Sequence, residues 1–196
     1  LDTPLAVDDM SDSVDWAGRC TATQRMFSTN HLMGRGYWVW IIPLVGGRTS
    51  VGLVADPEIH PLSEFNDFDK LSSWFNRHEP RFGEMVAESR DSLMDFKFLK
   101  HFSHDCEQLW STDGWAMTGE AGVFADPFYS PGSDFIAISN TFISDMILRS
   151  RNGQSPSIHP LVYDKMYRSF YDSTMSLYEE QYPGFGDTRM MVLKLT

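Results

Sequence analysis

Residues 118–137 read TGEAGVFADPFYSPGSDFIA, and the fold turns on how this stretch is parsed. The short apolar run Trp115-Ala116-Met117 leads into Gly119-Glu120-Ala121-Gly122, small residues that let a backbone approach something closely. Asp126-Pro127 starts a turn, and Ser130-Pro131-Gly132-Ser133 stands where a helix should begin. Ser133 is the expected N-cap, and Asp134 in the first turn suits the positive end of the helix dipole. The free N–H groups of such a helix start would suit an anionic or electron-rich ligand edge. The same sequence also describes a strand–loop–helix corner with no ligand, and glycine spacing alone does not separate the two.

Downstream, Phe135, Ile138, Phe142 and Met146 with Ile136, Ile143 and Ile147 make a broad apolar stripe, which predicts a largely buried helix. Arg149, Arg151, Asn152 and Gly153 close it with a basic last turn and a C-cap. A loop runs to Pro160. Tyr163, Met166, Tyr167, Phe170, Tyr171, Thr174, Leu177 and Tyr178 then define a long amphipathic helix ending before Pro183-Gly184, its tyrosine-rich face reading as core.

Upstream, Tyr37–Leu44 and Thr49–Val54 read as a hairpin, with Val45-Gly46-Gly47-Arg48 supplying positive φ angles at the turn. Period two puts Trp38, Trp40 and Ile42 on one face and Tyr37, Val39 and Ile41 on the other, so both faces should be covered. Pro43 marks a strand end or an edge. Taken alone, Trp38 and Trp40 read as core packing. Phe68, Leu71, Trp74 and Phe75 lie at helical spacing, as do Phe82, Met85 and Val86 after Pro80. Met94, Phe96 and Phe98 alternate with Asp95, Lys97 and Leu99 as in a half-buried strand. Cys106–Trp110 and Trp115–Thr118, turning at Asp113-Gly114, read as further strands. Residues 25–28 form a weaker strand candidate, and His31 reads as a hydrogen-bonding loop residue.

These elements predict an α+β chain. The 37–54 hairpin and strands within 94–119 form a mainly antiparallel sheet, with helices at 133–151 and 160–181 packed beside it. Three parts are expected: an acidic loop or frayed end over 1–15, a sheet-rich part over 16–131 and a helical part over 132–196.

Composition narrows the function. A chain of 196 residues that is 42 % hydrophobic buries one sizeable core, and its net charge of −11 argues against binding nucleic-acid phosphates. It has no apolar run long enough for a membrane helix. Cys20 and Cys106 are too few for a disulfide framework or a zinc site, and His101 and His104 lack a third ligand, so no metal is expected. Two free thiols and no signal peptide favour the cytoplasm. A triad of Ser130, His101 and Asp126 has no nucleophile-elbow sequence to support it. Glu120 and Asp126 lie six residues apart across a loop. From the residues alone, a close-approach loop feeding a helix start suits a cofactor better than a nucleophile.

Trp38-x-Trp40-x-Ile42-Pro43, followed by Gly119-Glu120-Ala121, Asp126-Pro127 and Ser130-x-Gly132, resembles the flavin-dependent halogenases of the tryptophan-halogenase type. The resemblance spans roughly residues 16–185; FAD monooxygenase-like flavoproteins share the second motif more loosely. It implies FAD, and part of an FAD monooxygenase/halogenase-like fold. In proteins of this kind the acid at Glu120, where aspartate is commoner, contacts the ribityl–phosphate region, with Gly119 and Ala121 beside it also expected to bind the cofactor. Pro127 to Gly132, Ser130 among them, would line the isoalloxazine, whose N1/C2 edge would face Gly132 and Ser133, and Asp126 is also expected to bind the cofactor. Trp38, Trp40, Ile42, Pro43 and Tyr129 would face flavin or substrate. The implied reaction uses reduced flavin, from a separate flavin reductase, and oxygen to oxidise a halide and modify a small aromatic or carrier-protein-bound substrate.

Three departures from the pattern follow. Lys70, Lys97, Lys100, Lys165 and Lys194 match no motif of the family's catalytic lysine, so no catalytic residue is assigned. Tyr129 stands where tryptophan-specific members carry glutamate, which argues against free tryptophan. Pro131 and Gly132 occupy the two halide-binding N–H positions, yet proline has no N–H. The chain also lacks a Gly-x-Gly-x-x-Gly and opens on Leu1. It therefore reads as an internal fragment of a longer flavoprotein, inactive by itself. A flavin hydroxylase or reductase without halide use, and a non-catalytic binding piece, are the alternatives.

Overall fold

A computed structural model describes residues 1–20, 24–154 and 159–195. Its elements are α1 (Val14–Gly18), β1 (Asn30–Gly34), β2 (Tyr37–Leu44), β3 (Arg48–Ala55), α2 (Phe68–His78), α3 (Pro80–Glu88), α4 (Gly132–Arg151), α5 (His159–Met175) and α6 (Thr188–Leu195), with short 3-10 turns between them. They divide into two compact units, residues 1–98 with 180–196, and residues 99–179. Among the described residues no helix is long and apolar enough to cross a membrane.

The first unit is built on a three-stranded antiparallel sheet in the order β1-β2-β3. Gly46 and Gly47, at φ +85° and +76°, turn β2 into β3 as the sequence predicts. The sheet's third strand was expected within 94–119; it lies instead at 30–34, joined to β2 through Arg35-Gly36 with Gly36 at φ +82°. Arg25–Phe27 is a 3-10 turn rather than a strand, and His31 belongs to β1 rather than to a loop. Pro43 pairs with Thr49 on β3 but lies beyond the last β1 partner of β2, Ile41, so its missing N–H leaves that side of the ladder intact.

Tyr37, Val39 and Ile41 pack with Trp74 and Phe75 of α2 and Phe82 and Val86 of α3 in the core. Fully burying each of these large apolar side chains contributes roughly 2–3 kcal/mol. Asp67 caps α2 by accepting from Lys70 N–H at 2.9 Å, and Pro80 opens α3, where a missing N–H costs nothing. The opening residues, expected as loop or frayed end, are fastened to this core. Leu5 and Val7 are buried, Leu5 N–H donates to Thr49 Oγ1 at 3.0 Å, and that hydroxyl donates to Thr3 O at 2.9 Å.

No ladder forms over 94–119 among the described residues. Residues 93–99 are irregular, with Met94 and Phe98 exposed, and pairing is limited to the isolated bridges His104↔Phe124 and Trp110↔Ala116. Alternation of apolar and charged residues supplies two faces, but a strand also needs a neighbour to take its N–H and C=O groups.

In the second unit α4 and α5 form where helices are expected, but α5 ends at Met175, six residues short of the expected 181, and residues 176–181 are turns. Gly153, at φ +72°, closes α4 with Gln154 N–H donating to Arg149 O at 3.0 Å. The expected burial of α4 does not hold. Phe135 and Ser139 are its buried residues, while Ile136, Ile147 and Leu148 are exposed. Residues 155–158 of the expected loop lie outside the described residues.

Candidate functional site

The second unit builds a corner around residues 118–133. Ser139 of α4, fully buried, holds its entry: its hydroxyl donates back to Phe135 O at 2.7 Å and accepts from Gly119 N–H at 3.3 Å, with Thr118 Oγ1 2.6 Å away. Gly119, Glu120 and Ala121 then form a single 3-10 turn. Gly119 adopts φ +54°, and a Cβ there would lie 2.5 Å from Ile136 Cγ1. A Cβ on Gly122 would lie 2.4 Å from Leu109 Cδ2. Both glycines therefore serve a close approach, and what approaches is the protein's own side chains.

Asp126, buried, accepts from Phe128 N–H at 2.8 Å, and Ser130 N–H donates to Pro127 O at 3.0 Å, so the Asp126-Pro127 turn forms as read. Tyr178 of the second unit donates its hydroxyl to Phe128 O at 2.6 Å. Burial, with the Asp126 charge adding to it, holds that phenol well above the usual tyrosine range. Tyr129 and Ser130 both lie in the left-handed region, at φ +65° and +55°. Two consecutive non-glycine residues there are costly, on the order of 1–2 kcal/mol each. Tyr129 stacks obliquely on Phe128, ring centroids 4.2 Å apart, and burial raises its phenol pKa.

The helix start differs from expectation by two residues. Pro131 is the N-cap, Gly132 is the first helical residue, and no side chain caps the helix. Ser133 is therefore inside the first turn. Pro131 O accepts from Asp134 and Phe135 N–H at 3.0 and 3.1 Å. The N–H groups of Gly132 and Ser133 precede any intrahelical acceptor. The space beside Gly132 is open except on one side, where a Cβ would lie 3.6 Å from Glu120 Oε1. The Glu120 carboxylate thus stands at the positive end of α4, where a negative charge is stabilised.

The other motif lies in the first unit. Trp38 is 1 % exposed; its indole N–H donates to Tyr182 Oη at 2.9 Å, and His31 meets its ring edge-on at 5.2 Å. Burial lowers the His31 pKa, opposed in part by a hydrogen bond with the Val39 backbone. Trp40 donates to Ser50 Oγ at 3.1 Å and covers Gly52, where a Cβ would meet the indole at 1.9 Å. Ile42 is half-buried and Pro43 exposed.

The structure thus brings Gly119, Glu120, Ala121, Asp126, Pro127, Tyr129, Ser130, Pro131, Gly132 and Ser133 into one corner of one unit. It holds Trp38, Trp40, Ile42 and Pro43 on β2 of the other. Sequence reading missed the supports: Ser139 under the turn, Tyr178 under Phe128, and Tyr182 and His31 beside Trp38. Each is distant in sequence from what it holds, and neither spacing nor periodicity signals such a contact.

No protein-family model matches the chain. It is 25 % identical over 169 residues to flavin-dependent halogenase chlA of Dictyostelium discoideum, covering 84 % of this chain and 28 % of that protein. It is 24 % identical over 153 residues to flavin-dependent halogenase ascD of Acremonium egyptiacum, covering 73 % and 27 %. A 1H-pyrrole-2-carbonyl-(peptidyl-carrier protein) brominase of Pseudoalteromonas luteoviolacea is 27 % identical over 130 residues, covering 65 % and 32 %. The chain therefore spans less than a third of the length of these curated relatives. Its fold is similar to part of a flavoprotein/dehydrogenase from Cytophaga hutchinsonii, with a TM-score of 0.54, 21 % identity and coverage of 76 % of this chain and 36 % of that one. The resemblance to flavin-dependent halogenases read from the two motifs is borne out, and the similarity is to flavin-dependent oxidoreductases.

Proposed function

We propose that this chain is part of an FAD-dependent, halogenase-like oxidoreductase, and that residues 119–133 form its flavin-facing corner. The observation that carries the reading is the pairing of an uncapped helix start with an acid, Glu120, held beside it. The donor set fits a flavin. Gly132 and Ser133 offer backbone N–H groups to the electron-rich pyrimidine edge, and Gly132 leaves room for a flat ring to approach. Glu120 would accept hydrogen bonds from ribityl hydroxyls. Bound flavin would supply the redox chemistry with oxygen, and the chain's own residues orient it and shape the space beside it. The pyrrole-carbonyl carrier-protein brominase among the relatives supports a small aromatic or carrier-bound substrate; reduced flavin from a separate reductase is part of the proposal.

The same corner favours a second reading for halide. Pro131 has no N–H to offer an anion, and the Glu120 carboxylate lies by the remaining donors. Losing one hydrogen bond to a charged acceptor, about 1.5–3 kcal/mol, weakens halide binding about ten- to a hundredfold. A flavin hydroxylase or reductase that has abandoned halide, or an enzyme that prefers the less hydrated bromide or iodide, is therefore expected over an efficient chlorinase.

The test is made on the protein that carries this chain, with reduced flavin, oxygen and phenolic or pyrrole substrates, the products being weighed with and without chloride and bromide. Flavin absorbance that copurifies with the protein and is lost in Gly132→Val supports the corner; unchanged flavin content in that variant overturns it. Pro131→Thr restores a donor and should increase halide use. Efficient chlorination by the parent, with no gain in Pro131→Thr, overturns the halide reading.

A further inference from the structure

Residues 94–98, at the end of the first unit, alternate like a strand and join no ladder. From Met94 to Phe98 no main-chain N–H or C=O pairs with another main-chain group among the described residues. The run forms no helix, turn or bend, and none of its residues has a positive φ. Asp95 and Lys97 form an ion pair at 3.0 Å. A contact between side chains two positions apart puts both on one side of the chain, the spacing of a strand and not of a helix. Met94, Phe96 and Phe98 then share the opposite side. Met94 is 56 % and Phe98 53 % exposed, and Phe96 is half-buried. An apolar face on an unpaired backbone is a template for a second strand.

We propose that residues 94–98 pair, antiparallel, with the same residues of a second copy of this chain, the two-fold axis passing through Phe96. Charge selects both the partner and the register. With Phe96 opposite Phe96, each Asp95 faces the partner's Lys97 and each Met94 faces the partner's Phe98. One side of the pair is then wholly apolar, and the other carries two pairs of opposite charge. Moving the axis to Asp95 or to Lys97 sets like charge against like. Moving it midway between residues sets charged side chains against apolar ones. Parallel pairing in register opposes Asp95 to Asp95 and Lys97 to Lys97. A lysine on a bare edge ordinarily keeps other strands away; here an identical chain supplies the aspartate that neutralises it. The Phe96 N–H is already engaged by the Asp95 carboxylate. That suits Phe96 to the pair whose N–H groups stay between their own neighbours, while Asp95 and Lys97 exchange backbone hydrogen bonds across the axis. Five residues a side bury less than a standard interface, so the dimer is weak and concentration-dependent. This inference does not rest on the flavin reading.

The experiment is sedimentation equilibrium on residues 1–196, from about 10 µM to about 1 mM. The mass should rise with concentration from 22.4 kDa towards twice that value. Asp95→Lys sets lysine against lysine in both cross-strand pairs, and Lys97→Asp sets aspartate against aspartate. Each should weaken association about tenfold, as two attractive pairs become repulsive. The double exchange Asp95→Lys with Lys97→Asp should restore it, and an equimolar mixture of the two single variants should associate as the unsubstituted chain does. Both side chains are largely exposed, 66 % at Asp95 and 83 % at Lys97, so these variants keep the fold. A mass that stays at 22.4 kDa throughout overturns the proposal. Association that is unchanged in Asp95→Lys is held by another face and overturns it equally. A double exchange that fails to restore association overturns the antiparallel register.

Discussion

The two motifs that carry the flavoprotein resemblance are held in opposite ways. On β2, Trp38 is buried and Trp40 half-buried, each indole N–H has a side-chain acceptor, and each ring packs on a neighbour from its own unit. Around residues 119–133 the main chain is held from below by Ser139 and Tyr178, while its upper side carries strain and an uncapped helix start. A motif of bulky aromatics can be made rigid by packing alone. A motif of glycines and prolines is fixed through its backbone, which leaves N–H groups free for something else.

Removing a ring from the packed motif should break the comparison most sharply. Trp38→Ala is expected to lose about 3–5 kcal/mol in denaturant unfolding, whereas Tyr182→Phe, which leaves the indole N–H without its acceptor, should lose about 1–3 kcal/mol. On the corner, Gly119→Ala should cost about 1–3 kcal/mol, because the methyl enters a left-handed site already in contact with Ile136. A Gly119→Ala loss equal to that of Trp38→Ala would mean that the corner is packed like the strand.

Acid sharpens the contrast from the other side. Burial disfavours the charged forms of His31, beside Trp38, and of His78, stacked on Trp74 with His60 and Arg77 adding repulsion. Their folded values lie below 6.5, so the unfolded chain binds protons first. Stability should therefore fall as the pH drops below about 6.5 and be recovered above it. His31→Gln and His78→Gln should each flatten that slope in urea titrations. Glu79, raised by burial although Tyr37 donates to it at 2.7 Å, acts in the opposite sense: stability declines as the pH rises above 4.5 through its folded value. Glu79→Gln should remove that decline. The smallest effect belongs to Ser130→Gly, which relieves a left-handed serine and should raise stability by about 0.5 kcal/mol, read as a small increase in the urea midpoint.

The sequence by itself determined whatever depends on short-range order. The Gly46-Gly47 turn, the α2 and α3 spacing with Pro80 between them, the Asn152-Gly153 helix end and the Asp126-Pro127 turn each rest on a residue and its neighbours within four or five positions. The two motifs were legible for the same reason, and the resemblance they carry held. Tertiary structure decided which strand pairs with β2: Met94–Phe98 has the alternation of a strand yet finds no partner for its backbone, whereas Asn30–Gly34, which has no such period and reads as loop around His31, does. It decided that α4 exposes much of its apolar stripe, since burial is a property of what packs against a face and not of the face. It also decided that Glu120 stands by Gly132 and that His104 meets the Glu120 carbonyl. Those contacts join residues 12 and 16 positions apart, and only the folded chain brings them within reach.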